Sequence, residues 1–246
     1  MWATSLTFTF KAERMIDRYT ISASPERIKE RFEVDVPPFV QPKYNAAPTQ
    51  LLPVITSDSP QGVSTFFWGT SPEWAKNKTL SEKIINVRSE QIAEKLTLQK
   101  ALLKNRCIIP ADGFYAWKKA GKKTLIPYRF VMATNDIFSI AGFWEEYEDT
   151  EGNEFHTFTM ITTTANEIVK GIYDRMPVIL DKAGERIWLD KTSAEKDLLS
   201  ILTPYDRSEL SLYSVSPRIT DTTANVPSLI SPAPPSDQFG NLTLFD

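Results

Sequence analysis

Residues 107–143 read CIIPADGFYAWKKAGKKTLIPYRFVMATNDIFSIAGF, and their punctuation decides the fold. Four short runs rich in β-branched and aromatic residues, 107–109, 114–118, 128–133 and 137–143, are separated by turn formers and read as strands. Lys119-Ala120-Gly121-Lys122 joins two of them as a hairpin turn, and Asp149-Thr150-Glu151-Gly152-Asn153 forms a second. Antiparallel pairing between neighbours follows. Working outward, 51–56 and 64–68 are further strand candidates, and 155–161 alternates as a half-buried strand does. Ser24 as N-cap, Pro25 in the first turn and Glu26 at the positive dipole end predict a short helix ending near Phe32. Residues 89–105 and 192–202 predict two more helices, the second stopped by Pro204. Strands that come in runs, rather than alternating with helices, give an α+β domain.

The chain has 246 residues, 41% hydrophobic and 24% charged, with a net charge of −3. That length buries a sizeable core, and that composition is ordinary for a soluble globular protein. No segment reaches the roughly 20 apolar residues of a membrane span, and residues 1–11 lack the basic start of a secretory signal. The expectation is a cytoplasmic protein away from membranes. One cysteine, Cys107, cannot close an internal disulfide, and with one histidine, His156, it falls short of the usual zinc ligand sets. We expect no metal and no cofactor. An acidic balance argues against a surface coated in basic charge, so any nucleic-acid contact must be local. With no internal repeat and no Gly/Ser linker, the division is an N-terminal extension at 1–14, one domain at 15–226 and a Pro-rich tail at 227–246, draped on the surface or frayed.

Familiar catalytic signatures are missing. There is no G-x-G-x-x-G or G-x-S-x-G, Gly121-Lys122-Lys123-Thr124 lacks the upstream glycine of a phosphate loop, and a single histidine rules out H-E-x-x-H. A Cys107/His156 dyad is open on sequence, against the plainer reading of a buried thiol and a strand-edge imidazole.

What stands out are dense polar-aromatic blocks. They include Arg18-Tyr19-Thr20-Ile21-Ser22, Tyr44-Asn45-Ala46-Ala47-Pro48-Thr49, Phe67-Trp68-Gly69 with Pro72 and Trp74, and Asn86-Val87-Arg88-Ser89-Glu90. Further on come Arg106 to Tyr115, Thr163-Thr164-Ala165-Asn166-Glu167, Asp174-Arg175-Met176-Pro177 and Val215-Ser216-Pro217-Arg218. In this order they resemble the SOS response-associated peptidase (SRAP) family. The resemblance implies a single domain of mainly antiparallel, curved sheets with a barrel-like core and short flanking helices. It also implies abasic sites in single-stranded DNA as the target. Its chemistry uses an N-terminal cysteine, whose amine and thiol condense with the ring-opened sugar aldehyde to a thiazolidine. Such a reaction needs a neutral amine, a thiolate and groups to move protons.

Position by position, the resemblance puts the sugar-orienting asparagine at Asn86. It aligns the family's opening Met-Cys-Gly-Arg-Tyr-Thr with residues 15–20, so Ile16 stands at the nucleophile and Asp17 at the glycine. Ala116 replaces a glutamate and Tyr173 a histidine. Starting the protein at Met15 would not restore a thiol at residue 16. Arg18, Arg88 and Arg175 match arginines that hold DNA phosphates, for which a guanidinium fork is suited. Asn45, Trp68 and Trp74 match residues near the same face, where a tryptophan could stack a base.

Plainer readings stand beside these. Arg88 and Arg175 could pair with Asp112 and Asp174, and Trp68 and Trp74 could be core aromatics. The leading expectation is therefore a monomeric DNA-damage-response protein, a pseudoenzyme that binds single-stranded or abasic DNA without crosslinking it. The alternatives are an active abasic-site crosslinking enzyme or peptidase with a rewired site, and a protein-interaction module that has lost DNA.

Overall fold

The strand around which the protein is organised follows a glycine turn and spans 154–164; it is buried on both faces over most of 157–163 rather than half-buried by alternation. The computed structural model describes residues 16–69, 85–121, 124–148, 151–205 and 209–243. Its first part contains β1 (Tyr19–Ile21), α1 (Pro25–Phe32), β2 (Lys43–Ala46), β3 (Leu51–Thr56), β4 (Ser64–Trp68), β5 (Asn86–Arg88) and α2 (Leu96–Lys104). Next come β6 (Arg106–Ala111), β7 (Gly113–Ala120), β8 (Thr124–Met132), β9 (Phe138–Glu148) and β10 (Glu154–Thr164). The remainder is α3 (Glu167–Lys170), β11 (Arg175–Pro177), β12 (Ile179–Leu180), α4 (Lys182–Leu189), α5 (Glu195–Ser200) and β13 (Leu210–Ser214).

β3 pairs with β4 and β6, β6 with β9, β9 with β10, and β10 with β4, so five strands close on themselves. Of these five contacts only β10–β4 is parallel. Closure removes the exposed edges that would otherwise invite pairing with another chain. Opposite Met160, β9 has Gly142, and a Cβ there would lie 2.8 Å from the Thr159 carbonyl oxygen and 3.2 Å from Cys107 Sγ. A second sheet, β13-β8-β7-β1-β2, packs beside the barrel. The α+β single domain with a barrel-like core and short flanking helices is therefore what the chain forms.

The two predicted hairpins are present. Gly121 at φ 72° and Gly152 at φ 88° turn the chain between β7 and β8 and between β9 and β10. Lys122, Asp149 and Thr150 lie outside the described residues. Ser24 caps α1 by accepting from the Arg27 N–H, and the helix buries Ile28. The helix expected over 89–105 is instead a 3₁₀ turn at Ser89–Gln91 followed by α2, and the one expected over 192–202 shortens to α5. The Pro-rich tail is laid down rather than frayed. Leu229 is 1% exposed, the Ala233 N–H donates to the Ser214 carbonyl at 2.9 Å, and Gln238 accepts from the Leu125 N–H at 2.8 Å. Among the described residues no helix is long and apolar enough to cross a membrane.

Candidate nucleic-acid site

Beyond Phe158 on one side and Met160 on the other, the edges of β10 change partners. One edge passes from β4 to β5, setting Met160 opposite Asn86 and Thr162 opposite Arg88; the other passes from β9 to β11, setting Thr164 opposite Arg175. Alternation along β5 puts Asn86 and Arg88 on one face while Val87, 4% exposed, packs inward. Trp68 fixes this placement. Its indole N–H donates at 2.9 Å to the Ile85 carbonyl, which also accepts from the Met160 N–H at 3.0 Å.

Asn86 Nδ2 donates to the Ile16 carbonyl at 2.6 Å, and its Oδ1 is shielded with no partner. Ile16 is buried. β1 pairs with β7 with Tyr19 opposite Phe114, and the Arg18 carbonyl accepts from the Tyr115 N–H at 3.0 Å. The same register carried one step further sets Asp17 opposite Ala116. Directly opposed residues of an antiparallel pair share a face, so this register, if kept past the end of β1, would bring the Asp17 carboxyl toward the Ala116 methyl. Residue 16 and Asn86 thus meet just before β1, and Ala116 lies buried on the neighbouring strand β7.

Two ionisable groups distinguish this corner. Desolvation pushes the Asp17 carboxyl above the ordinary carboxylate range, against the opposing pull of the Arg18 guanidinium, whose Nη1 lies 3.2 Å from Asp17 Oδ2. Arg18 also donates to the Asp17 carbonyl at 2.6 Å, while its Nε and Asp17 Oδ1 are shielded without partners. Across β10, Arg175 makes a two-pronged bond to Glu90 at 2.7 and 2.9 Å and donates to the Thr162 carbonyl at 2.7 Å. The hydrogen bond from Arg175 holds the Glu90 carboxyl below its usual range, and the Arg88 charge adds to the effect.

This corrects the pairing read from sequence. Arg175 takes Glu90 rather than Asp112 or Asp174. Asp112 accepts instead from Thr20 Oγ1 at 2.5 Å, the Ser22 N–H at 2.5 Å, the Ala23 N–H at 3.0 Å and Arg129 Nη2 at 3.1 Å, joining β1 to the β6–β7 corner. Arg88 is exposed on β5.

The other candidates separate. Asn45, 1% exposed, donates to the carbonyls of Asp221 and Ala224 at 2.8 and 3.2 Å and holds the segment after β13. Trp68 is fully enclosed between Tyr19 and Phe158, with ring centroids at 5.3 and 6.1 Å, and presents no open face to a base. Trp74 lies outside the described residues, as do 1–14. Tyr173 closes α3 through its N–H to the Val169 carbonyl at 2.9 Å and packs, partly buried, on the main core.

Cys107 and His156 do not meet. Cys107 is opposite Gly142 and His156 opposite Glu146, four rows apart and roughly 13 Å along the strand. Burial pushes the Cys107 thiol well up, and His156 stacks on Phe66 with centroids at 4.7 Å. Among the described residues no three His, Cys, Asp or Glu side chains gather as metal ligands. Sequence reasoning gave no role to Asp17, Glu90 or Thr162. Glu90 stood within a quoted block, and its charge next to two candidate arginines was the available signal.

With this geometry in hand, the comparisons are specific. A family model described as SOS response associated peptidase (SRAP) matches residues 15–222. Abasic site processing protein YoqW of Bacillus subtilis (strain 168) is 39% identical over 223 residues, covering 88% of this chain and 99% of that protein. Abasic site processing protein HMCES of Xenopus tropicalis is 29% identical over 223 residues, covering 78% of this chain and 66% of that protein. A crystal structure of a Bacteroides thetaiotaomicron protein superposes with a TM-score of 0.78 at 27% identity, covering 88% of this chain and 99% of the other.

Proposed function

The chain belongs to the SRAP family, and from that premise we propose that it recognises single-stranded DNA carrying an abasic site and holds it without a covalent bond. It would act in the cytoplasm as a monomer, in the response to DNA damage. One observation carries the reading: the residue whose carbonyl Asn86 grips is a buried isoleucine. A thiazolidine needs a thiol and an amine on one residue, and an isoleucine supplies no sulfur. Ala116 has no proton to give, and the Tyr173 phenol is a poor base near neutral pH. Arg18, Arg88 and Arg175 supply cations for phosphates, and Asn86 supplies an amide for the sugar.

The test is a fluorescence anisotropy titration with matched abasic and intact single strands across a salt series. Three phosphate contacts give a slope of log K against log salt of about −2. We expect that slope, tighter binding of the abasic strand, and no adduct on denaturing electrophoresis. A band that survives denaturant would replace this reading with an active enzyme. Deleting residues 1–15 while making Ile16→Cys, Asp17→Gly, Ala116→Glu and Tyr173→His should produce such a band.

A second reading draws on the same corner. Asn86 already has its amide on Ile16 and Arg175 its fork on Glu90, which is how a protein-interaction module free of DNA would look. No saturable binding of either strand, even at low salt, would favour it.

A further inference from the structure

A separate cavity of about 310 Å³ lies where the C-terminal end of α1 meets the flank of α4, and none of its lining residues belongs to the Asn86 corner. We infer that it binds a small amphiphilic anion, an apolar or aromatic body bearing one carboxylate or phosphate. Its volume falls in the range of pockets that hold small organic ligands. Ile55 and Ile108 form an apolar floor at the outer surface of the barrel, and Leu189 extends it.

The charge on the wall is the second argument. Lys182, Glu185, Arg186 and Leu189 are the face of α4 that lines the cavity, spaced as one helical stripe. Glu185 is already neutralised: Arg31 grips both its oxygens at 2.5 and 3.2 Å, and Ser139 Oγ donates to Oε1 at 2.6 Å. Arg31 is held in turn by the Ile137 carbonyl at 3.0 Å. Lys182 and Arg186 are left one turn apart, about 6 Å along the axis. Like charges at that spacing repel on an isolated helix. Among the described residues neither has an acidic partner within 4.0 Å, and Glu33 on the facing wall pairs with neither. An anion seated between them offsets both charges, and the arginine fork gives it direction. An inorganic ion alone would leave the apolar floor wet, so the ligand carries an apolar portion that covers it.

The test is an amide-detected NMR titration of the whole chain with phenyl phosphate, octanoate, inorganic phosphate and benzyl alcohol. It is run on the wild type and on the Lys182→Gln/Arg186→Gln variant, whose exposed side chains can change without disturbing the core. Expected is saturable binding of phenyl phosphate or octanoate with shifts centred on Lys182, Arg186 and Ile108, weakened at least tenfold in the variant. The tighter of the two identifies an aryl phosphate or a fatty-acid source. Inorganic phosphate and benzyl alcohol should each bind at least tenfold more weakly. Binding of inorganic phosphate as tight as phenyl phosphate would mean an adventitious ion only. Equal binding of benzyl alcohol would mean apolar filling only. Either result overturns the inference, as would no saturation or an affinity unchanged in the variant. Because abasic DNA plays no part in these measurements, their outcome is independent of the Asn86 site.

Discussion

The barrel and the corner beside it share one strand, β10, and differ in how densely they leave shielded polar groups unpaired. In the packed core on and around the barrel the indole N–H groups of Trp68 and Trp188 are each given a carbonyl, at 2.9 Å in both cases. Scattered exceptions are the shielded Tyr19 hydroxyl, Ser57 Oγ and the Trp144 indole N–H, none of which has a partner. Where β10 leaves the barrel for β5 and β11, shielded atoms of Asp17, Arg18, Asn86 and Arg175 have no partner. Each such atom costs about 1 to 3 kcal/mol relative to a satisfied one. Natural cores rarely tolerate them in groups, and where they cluster a functional demand is the usual cause. The barrel strands close on one another, and the recognition proposed above falls at the end where β10 leaves them for β5 and β11.

The sharpest way to break this contrast is at the residue common to both regions. Trp68→Ala should cost about 3 to 5 kcal/mol in denaturant unfolding, as for other large-to-small core changes. The milder Trp68→Phe keeps most of the ring but leaves the Ile85 carbonyl one donor short, so it should weaken binding of abasic DNA more than its small stability loss would suggest. A loss of less than 1 kcal/mol for the alanine variant would remove the barrel's claim on the site.

Next in size is Ala116→Glu, which puts a carboxyl into a fully packed position opposite Asp17. Burying it beside a carboxyl already short of hydration should cost about 3 kcal/mol. With Asp17→Gly in the background the cost should fall by at least about 1 kcal/mol, since the like charge and its crowding are gone. Additive effects would show that residues 17 and 116 do not face each other. If they couple, then two of the four positions at which the resemblance has this chain depart from the family pattern, a glycine become Asp17 and a glutamate become Ala116, are one exchange across a ladder rung.

Much of the barrel was legible because its signals are local. Residues 51–56 and 64–68 are strands to the residue, and Ser24-Pro25 starts α1 where capping chemistry says it should. The helix α4 was missed because Gly184 reads as a breaker, yet its N–H is the group that the Asp181 carboxylate caps at 2.8 Å. The expected helix over 89–105 failed for the reverse reason: Lys95, at the start of α2, offers no capping side chain. At the site, the family blocks located Asn86 and the arginines, but not their partners. Glu90 and Arg175 are 85 positions apart in sequence and meet only because β5 and β11 flank the same end of β10. Trp68 looked like a stacking platform and is a core brace, because only the closed sheet reveals which face is covered.

The smallest expected effects come from the two carboxyls of the corner, and they carry opposite signs. Asp17 has its pKa raised by burial, so the folded state is penalised once the group ionises. That penalty is absent below the unfolded value near 4 and grows as pH rises through the folded one. Asp17→Asn removes it, and thermal melts should show the variant gaining on the wild type as pH climbs from about 4 toward neutrality. Glu90 has its pKa lowered by Arg175, so the pair contributes above the unfolded value near 4.3 and is lost as pH falls through the folded one. Glu90 is about half exposed, so Glu90→Gln should change stability by less than about 1 kcal/mol. It also releases the Arg175 fork to a phosphate, so single-strand affinity should rise severalfold at low salt. A Glu90→Gln protein that binds DNA no better would mean that Arg175 serves the fold alone, and the contrast between a structural barrel and a recognition corner would lose one of its three arginines.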